Sequence, residues 1–360
     1  MPGRRLPDHP INASLCRRCQ AVEPAIVVRT EPLCKACFGK YVNTKVVKRL
    51  ESFRVRHSEP GNERSVLLAV SLDACSVTLL HVVSQHLKGQ VEKTGRTGFK
   101  LCVLYVNRSH LADTSEATAL FSQLKERFPE HDYHTVELSD ALSLEGVSKL
   151  FGQDAEDLSQ TNDATQRLMH VLDHATSATS RQDTEQTLRR RLVVQFAQDR
   201  DCESIIWDYS ATKLAERTLA ETAKGRGIAL PWTVADGESL HGVPFYHPLR
   251  ELLNKELKSY VSFIEPPFDD GFVTAEVKPI VSTKNTTIDD LMEQYFDSVE
   301  KEYPSIVANV VRTTGKLVTP ALSQTEQCEL CNNPLEGHAP EKSRLCYSCI
   351  RMLPQDQDQD

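Results

Sequence analysis

The clearest pattern of hydrophobic and polar positions lies between residues 65 and 87. The five residues from Val66 to Val70 are all apolar and form a run of the length of a buried strand. The polar-leaning segment 71–76 interrupts the run. Apolar residues then return at helical spacing, at Val77, Leu80, Val83 and Leu87. This pattern predicts a strand, a short loop and a helix, the unit that opens many nucleotide-binding α/β domains.

The rest of the chain shows the same two periodicities in alternation. Predicted strands cover residues 101–106, 133–138 and 202–207. Predicted helices cover residues 41–56, 114–128, 184–200, 211–224, 249–264, 287–303 and 304–317. Because strands and helices alternate, we expect a parallel sheet with right-handed crossovers.

Three segments lack a clear period. We interpret residues 88–99 as a turn and residues 228–249 as a loop-rich stretch, because Gly or Pro interrupts each of them. Residues 139–182 are rich in Ser, Asp, Gln and Thr. We interpret them as an insertion with short helices near residues 142–151 and 164–174.

The composition is that of a globular protein. The chain has 360 residues, of which 40% are hydrophobic and 26% are charged. No apolar run reaches the length of a membrane span, and the N-terminal segment lacks the apolar core of a secretory signal. We therefore expect an intracellular protein, in which eleven cysteines indicate metal or redox chemistry before disulfides.

The net charge of −8 is unevenly distributed. Residues 1–56 contain twelve Lys and Arg but only four acidic residues, a local charge of +8, which leaves −16 for the remainder. A basic end on an acidic body indicates an anionic partner, with nucleic acid as the first candidate. A solvated basic face is the alternative.

Eight of the eleven cysteines form four CxxC pairs with one repeated spacing. Fourteen residues separate the pairs at each end of the chain, in the sets Cys16, Cys19, Cys34 and Cys37, and Cys328, Cys331, Cys346 and Cys349. Two such pairs bring four thiolates to one tetrahedral site, which is typical of structural zinc. Reduced free thiols or a redox pair are the alternatives. Of the other three cysteines, we expect Cys102 and Cys202 to be inert core residues and Cys75 to lie on the loop after the first strand.

The loop after the first strand lacks the residues that bind a phosphate. It comprises Ser71, Leu72, Asp73, Ala74, Cys75 and Ser76, and no Gly occurs between Gly61 and Gly89. Phosphate-binding loops use Gly because a Cβ would keep the backbone away from the ligand. Asp73 adds a negative charge where an anion would bind. We therefore predict a degenerate nucleotide loop.

The layout resembles the cytoplasmic tRNA 2-thiolation proteins, and within them the protein 2 family, the non-catalytic partner. Four stretches carry the resemblance: residues 47–49 after the first cysteine set, the loop at the position of an SGGxDS motif, residues 207–219 at a second nucleotide-side motif, and the helices at 248–260 and 303–317. Ser71 and Ser76 match the first motif. Ala211 and Thr212 stand where active members have an acidic pair.

The resemblance implies a fold and a domain order. The fold is α/β, with a parallel-sheet pyrophosphatase-loop domain, of the adenine nucleotide alpha hydrolase type, flanked by N- and C-terminal four-cysteine zinc ribbons. The implied segments are a disordered leader at 1–14, a zinc ribbon at 15–40, a basic helix and linker at 41–63, the degenerate α/β domain at 64–320 with its insertion at 139–182, a second zinc ribbon at 321–352 and a disordered tail at 353–360.

The resemblance also implies a function. The chain would be the non-catalytic subunit of a cytoplasmic heterodimer, or a larger assembly, with the catalytic tRNA 2-thiolation protein 1. The complex would transfer sulfur from a thiocarboxylated ubiquitin-related modifier to the wobble uridine of the tRNAs for Lys, Glu and Gln. We expect two zinc ions, and neither ATP nor an iron–sulfur cluster, on this chain. The alternatives are an active ATP-dependent sulfurtransferase with a divergent loop and a zinc-ribbon adaptor unrelated to tRNA.

Basic residues near the first cysteine set are candidates for contact with tRNA phosphates. The set comprises Arg17, Arg18, Lys35, Lys45, Lys48 and Arg49, and a second cluster comprises Arg189, Arg190 and Arg191.

Overall fold

The computed structural model describes residues 12–62, 64–108, 114–151, 163–273, 285–318, 326–335 and 344–353. The leader predicted at 1–14 and the tail predicted at 353–360 lie almost entirely outside these residues. Within the described ranges, no helix is both long enough and apolar enough to cross a membrane.

A five-stranded parallel sheet forms the centre of the protein. Its strands are β3 (Arg64–Val70), β4 (Phe99–Asn107), β5 (Asp132–Glu137), β6 (Ser204–Trp207) and β7 (Phe245–Tyr246), and a separate hairpin near the N-terminus pairs β1 (Ile26–Val28) with β2 (Glu31–Leu33). The order across the sheet is β5-β4-β3-β6-β7, so β3 lies in the middle. The predicted parallel α/β fold is confirmed.

Helices cover both faces of the sheet. They are α1 (Lys35–Arg49), α2 (Ala74–Thr94), α3 (Ser115–Arg127), α4 (Val147–Phe151), α5 (Ala164–Asp173), α6 (Ala178–Asp199), α7 (Ala211–Ala223), α8 (Leu230–Val234), α9 (Asn254–Val261), α10 (Ile288–Glu302), α11 (Pro304–Thr314) and α12 (Tyr347–Ile350).

Alternating residues of β3 supply two separate cores. Val66, Leu68 and Val70 pack in one core with α1, α2, α3 and α9. Leu67 and Ala69 pack in the other with α4, α5, α6 and the second cysteine set. Successive side chains of a strand point to opposite faces of the sheet. Because both faces of β3 are buried, the residues from Val66 to Val70 are all apolar.

Four predicted segments differ from the structure. The helix predicted at 41–56 begins earlier, at Lys35, and ends earlier, at Arg49. The turn predicted at 88–99 is wrong in its first half, because α2 continues to Thr94 and ends at Gly95, whose φ of +74° suits a residue without a Cβ. The stretch at 228–249 contains α8 and β7, which are too short to produce a detectable period. The helix predicted from residue 249 begins only at Asn254.

Both cysteine-bearing ends are attached to the central domain. Near the N-terminus, Glu251 accepts hydrogen bonds from Lys45 and Arg49 of α1. Near the C-terminus, Arg191 donates to Asn332 Oδ1 at 2.5 Å, and Ser348 donates to the Lys224 carbonyl at 2.7 Å.

Candidate metal centres and nucleotide cleft

Each set of four cysteines converges on one point. Within each set the sulfur atoms lie within 4.8 Å of one another. In both sets the second CxxC pair begins a helix, because Cys34 is the N-cap of α1 and Cys346 is the N-cap of α12. The structure therefore brings together all eight predicted ligands in two groups, each of which could hold a metal ion.

In the first set the electrostatics favour a thiolate at Cys16, whereas burial and hydrogen bonding to Cys34 raise the pKa of Cys37 to about 12. Burial raises the pKa of Cys16, but hydrogen bonds from the backbone N–H groups of Cys19, Cys34 and Arg18 outweigh burial and lower this pKa to about 6. A ligating cysteine must lose its proton, so these N–H groups prepare the site for a cation.

A cleft of about 520 Å³ lies at the carboxyl ends of β3 and β6. This edge of a parallel sheet is where α/β domains place their ligands. The whole predicted loop except Ser76 lines the cleft, together with Asp208, Lys213 and Asn254. The position is that of a nucleotide site, and the chemistry of the loop decides what the cleft can accept.

Asp73 blocks the helix N-terminus that faces the cleft. It is the N-cap of α2, and its Oδ1 accepts hydrogen bonds from the N–H groups of Cys75 at 2.9 Å and Ser76 at 3.1 Å. Backbone N–H groups at this position would otherwise bind a phosphate. Leu72 occupies the left-handed region at φ +60°, where a glycine would be favoured. Ala74, Cys75 and Ser76, which we predicted to be loop, form the first turn of the helix.

Asp208 fixes the two serines of the loop, Ser71 and Ser76, by hydrogen bonds. Its carboxylate accepts hydrogen bonds from the Ser71 N–H at 2.7 Å, from the Ser71 hydroxyl at 3.0 Å and from the Ser76 hydroxyl. The Ser76 oxygen also accepts from the N–H of Leu72 at 3.0 Å. The two serines that match the family motif therefore bind the protein itself.

The second nucleotide-side motif, residues 207–219, also makes contacts within the protein. Ser210 caps α7 by accepting from the Lys213 N–H at 3.1 Å. The hydroxyl of Thr212 donates to Glu300 of α10, and Glu300 also accepts from the Lys255 N–H at 2.6 Å. Sequence reasoning noted the missing acidic pair but missed this role of Thr212, because its partner lies 88 residues away.

The three remaining cysteines are divided between the two faces of the sheet. Cys75 is buried on the side of the sheet that faces α2, with its thiol 3.8 Å from Asn254 Oδ1. Cys102 and Cys202 are buried in the opposite core, where their thiols interact with each other. Burial raises the pKa of Cys75 well above its usual value, so this thiol stays protonated. The expectation that it lies on a loop is wrong.

The predicted tRNA contacts occupy different environments. Arg17, Lys35 and Lys48 are exposed, whereas Arg18 pairs with Glu31. Lys45 and Arg49 pair with Glu251, as described above. Arg189, Arg190 and Arg191 are half-buried on α6.

The three arginines of α6 do not form one charged patch. Arg189 donates to the Val70 carbonyl at 3.3 Å, and Arg191 donates to Asn332, which follows Cys331 in the chain. Burial and the charge of Arg217 lower the pKa of Arg190, which lines a small internal cavity.

Fold and sites together define a class of protein. It is a pyrophosphatase-loop type α/β domain in which side chains of the protein occupy the phosphate position, with a four-cysteine metal site near each end.

Comparison with known proteins identifies the family. The family model for cytoplasmic tRNA 2-thiolation protein 2 matches residues 287–344. The chain is 40% identical to the cytoplasmic tRNA 2-thiolation protein 2 of Phaeosphaeria nodorum over 382 aligned residues, which cover 99% of this chain and 98% of the relative. It is 39% identical to that of Pyrenophora tritici-repentis, with 98% of both chains covered. The chain belongs to the cytoplasmic tRNA 2-thiolation protein 2 family, and the resemblance predicted from the sequence is confirmed.

A solved structure supports the fold. The U34-tRNA thiolase NcsA from Methanococcus maripaludis, determined with its [4Fe-4S] cluster, superposes with a TM-score of 0.60. The superposition covers 89% of this chain and 96% of NcsA, at 16% sequence identity. At this identity the likeness shows the shared fold.

Proposed function

We propose that this chain is the non-catalytic subunit of the cytoplasmic tRNA thiolation complex. In this role it assembles with the catalytic tRNA 2-thiolation protein 1 and is required for 2-thiolation of the wobble uridine of the tRNAs for Lys, Glu and Gln. Sulfur comes from a thiocarboxylated ubiquitin-related modifier. Membership of the protein 2 family supports this role, and so does the cytoplasmic location in the names of its relatives.

The observation that carries the non-catalytic assignment is the Asp73 cap. A carboxylate that accepts two helix N–H groups leaves those donors unavailable to an ATP phosphate. Burial and the nearby charge of Asp208 raise the pKa of Asp73 to about 6. The carboxylate of Asp73, when it is ionised, also repels a phosphate. These contacts speak against the alternative of an active ATP-dependent sulfurtransferase.

Each four-cysteine set suits one structural zinc ion. Four thiolates in a closed site match the tetrahedral ligand set that structural zinc takes. A bound zinc would hold the two CxxC turns of each ribbon together. Cys75 lies on the opposite side of the sheet from Cys102 and Cys202, so these three cysteines do not converge on one cluster site.

Calorimetric titration of the full chain with Mg-ATP tests the proposal. We expect no binding in the micromolar range. The active-enzyme alternative instead predicts micromolar affinity that is lost in Ser76→Ala. A Leu72→Gly, Asp73→Gly double variant serves as a matched comparison, because it frees the helix N–H groups and should bind phosphate better than the natural loop.

Reconstituted thiolation of a tRNA-Lys transcript tests the function itself. We expect the catalytic partner to need this chain for full activity. Asp73→Asn keeps the helix cap and should support thiolation as well as the natural chain does. A partner that is fully active without this chain, or a complex that does not bind tRNA, would favour the zinc-ribbon adaptor.

A further inference from the structure

A long groove runs between α1 and α2 on the surface that carries the first cysteine set. We call it the α1–α2 trough, and its walls are residues 35–44 of α1 and residues 81–94 of α2. It consists of two hollows of about 570 and 620 Å³ that share Asn43 and Gln85. The thirteen helical steps along α2 give it a length of about 20 Å.

The trough is positively charged in a protein of negative net charge. Five cations line it, namely Lys35, Lys40, Arg54, Arg56 and Lys93. Glu265 lines one end, and Glu51 pairs with both Arg54 and Arg56. Five cations against two carboxylates leave a positive excess, whereas the whole chain carries −8. Such a groove attracts an extended anion.

The pKa values of two histidines on the α2 wall are lowered, and cations of the trough contribute to the shift of one of them, His86. Burial lowers the pKa of His86, and the charges of Arg54 and Lys93 lower it further. Burial also lowers the pKa of His81, together with the charges of Arg127 and Lys88. Both rings are therefore neutral at pH 7.

Aromatic rings and amide groups lie among the cations. Tyr260 and Phe263 line the same hollow as His81, and the side chain of Gln85 hydrogen-bonds His81 at 2.9 Å. Tyr260 is buried, so the flat groups that the hollow presents between cations are those of Phe263, His81 and Gln85. Such groups are what nucleic-acid-binding grooves offer to bases.

Two glycines leave the backbone of the trough walls uncovered. Gly39 lies within α1 and Gly89 within α2, and each lines one of the hollows. A Cβ placed on either residue would have no atom within 4 Å, so protein packing does not require a glycine there. Glycine weakens a helix, and at these two positions it leaves room for a ligand to approach the backbone.

We propose that the α1–α2 trough binds the sugar-phosphate backbone of an RNA strand, with Lys40 and Lys93 contacting phosphates and Gly39 and Gly89 providing close approach. The identification of this RNA as tRNA rests on the proposed function. The trough includes Lys35 from the sequence-derived candidates, and Lys48 follows Lys40 and Thr44 at four-residue spacing, on the same side of α1. Lys45 and Arg49 instead bind Glu251.

The test is a titration of tRNA-Lys against the complex of the full chain with its catalytic partner at several salt concentrations. Lys40→Glu with Lys93→Glu should weaken binding at least about tenfold and reduce the salt slope by roughly 1.5. Gly89→Leu, which changes no charge and whose Cβ would have no atom of the protein within 4 Å, should weaken binding several-fold without lowering the melting temperature. The control is Lys149→Glu, an exposed residue of α4 on the other face of the sheet, which should leave affinity unchanged.

The outcomes separate the inference from the proposed function. If the natural complex does not bind tRNA, both are overturned. If it does bind tRNA and the trough variants bind equally well, only the inference is overturned. The double variant Lys40→Glu, Lys93→Glu could instead still bind tRNA but no longer bind the catalytic partner. In that case the trough is a protein interface, which also overturns the inference.

Discussion

At the scale of single residues, Asp73 shows how far sequence reasoning reaches. The lack of glycine in the loop predicted weak phosphate binding, and this prediction needed only the identity of the residues. The sequence did not show that Asp73 would cap α2, because the first helical turn could not be distinguished from loop at Ala74 and Cys75. Capping depends on backbone angles that apolar periodicity does not report.

The cap makes a prediction about stability. Asp73→Ala should lower the free energy of unfolding by about 1 kcal/mol, because the N–H groups of Cys75 and Ser76 lose their acceptor. Asp73→Asn should cost much less, since Asn is an equally good N-cap. Urea denaturation followed by circular dichroism measures both values. Equal losses in the two variants would show that the charge of Asp73, and not the cap, stabilises the loop.

At the scale of elements, the strongly periodic segments were predictable and the short ones were not. The strands predicted at 101–106 and 133–138 match β4 and β5 to within two residues at each end. β7 has two residues, and its place at the sheet edge comes from pairing with Ile205 and Ile206 of β6. A strand of two residues is defined by its hydrogen bonds to the neighbouring strand. It is too short to show an alternation of apolar and polar residues in the sequence.

The two cysteine sets were predictable from spacing alone, and they allow a quantitative test. We expect two zinc ions per chain by elemental analysis. Cys346→Ser should reduce this to about one, because a site that loses one of four thiolates binds structural zinc poorly. Cys16→Ser should have the same effect on the other site. Iron in place of zinc, or one metal ion in the natural chain, would contradict the prediction.

At the scale of the whole molecule, acidic residues near β7 attach the N-terminal part to the central domain. Asp236 accepts from the His247 N–H at 2.9 Å and lies 3.1 Å from Arg250 and 3.6 Å from Arg49 of α1. Glu251 adds the contacts to Lys45 and Arg49. The sequence could not reveal the pairs between Glu251 and α1, because about 200 residues separate their members. Lys45, Lys48 and Arg49 of α1 looked alike in the sequence. In the structure Lys45 and Arg49 bind Glu251, whereas Lys48 is exposed.

Asp236 gives this attachment a dependence on pH. Burial raises the pKa of Asp236, but the hydrogen bonds from His247 and the charge of Arg250 outweigh burial and lower it to about 2. An aspartate in the unfolded chain titrates near pH 4, so the ionised carboxylate stabilises the folded state. This contribution is complete above about pH 5 and is lost as the pH falls toward 2.

The corresponding test is the variant Asp236→Asn. It should lower the free energy of unfolding by roughly 2 kcal/mol at pH 7, and the difference from the natural protein should shrink as the pH falls below 4. Urea denaturation at a series of pH values measures this profile. A difference that stays constant down to pH 2 would mean that packing, and not the charge, accounts for the loss.

The Asp73 cap described above can also be considered as a ligand that never dissociates. A carboxylate fixed to the same chain competes with free phosphate at an effective concentration that a solute in the cell does not reach. Raising the concentration of ATP would therefore not fill this cleft, whereas a change of two side chains, Leu72 and Asp73, would remove the competitor. The carboxylate of Asp73 occupies the N–H groups that a phosphate would need. We therefore expect changes in cellular nucleotide levels to leave this subunit unaffected.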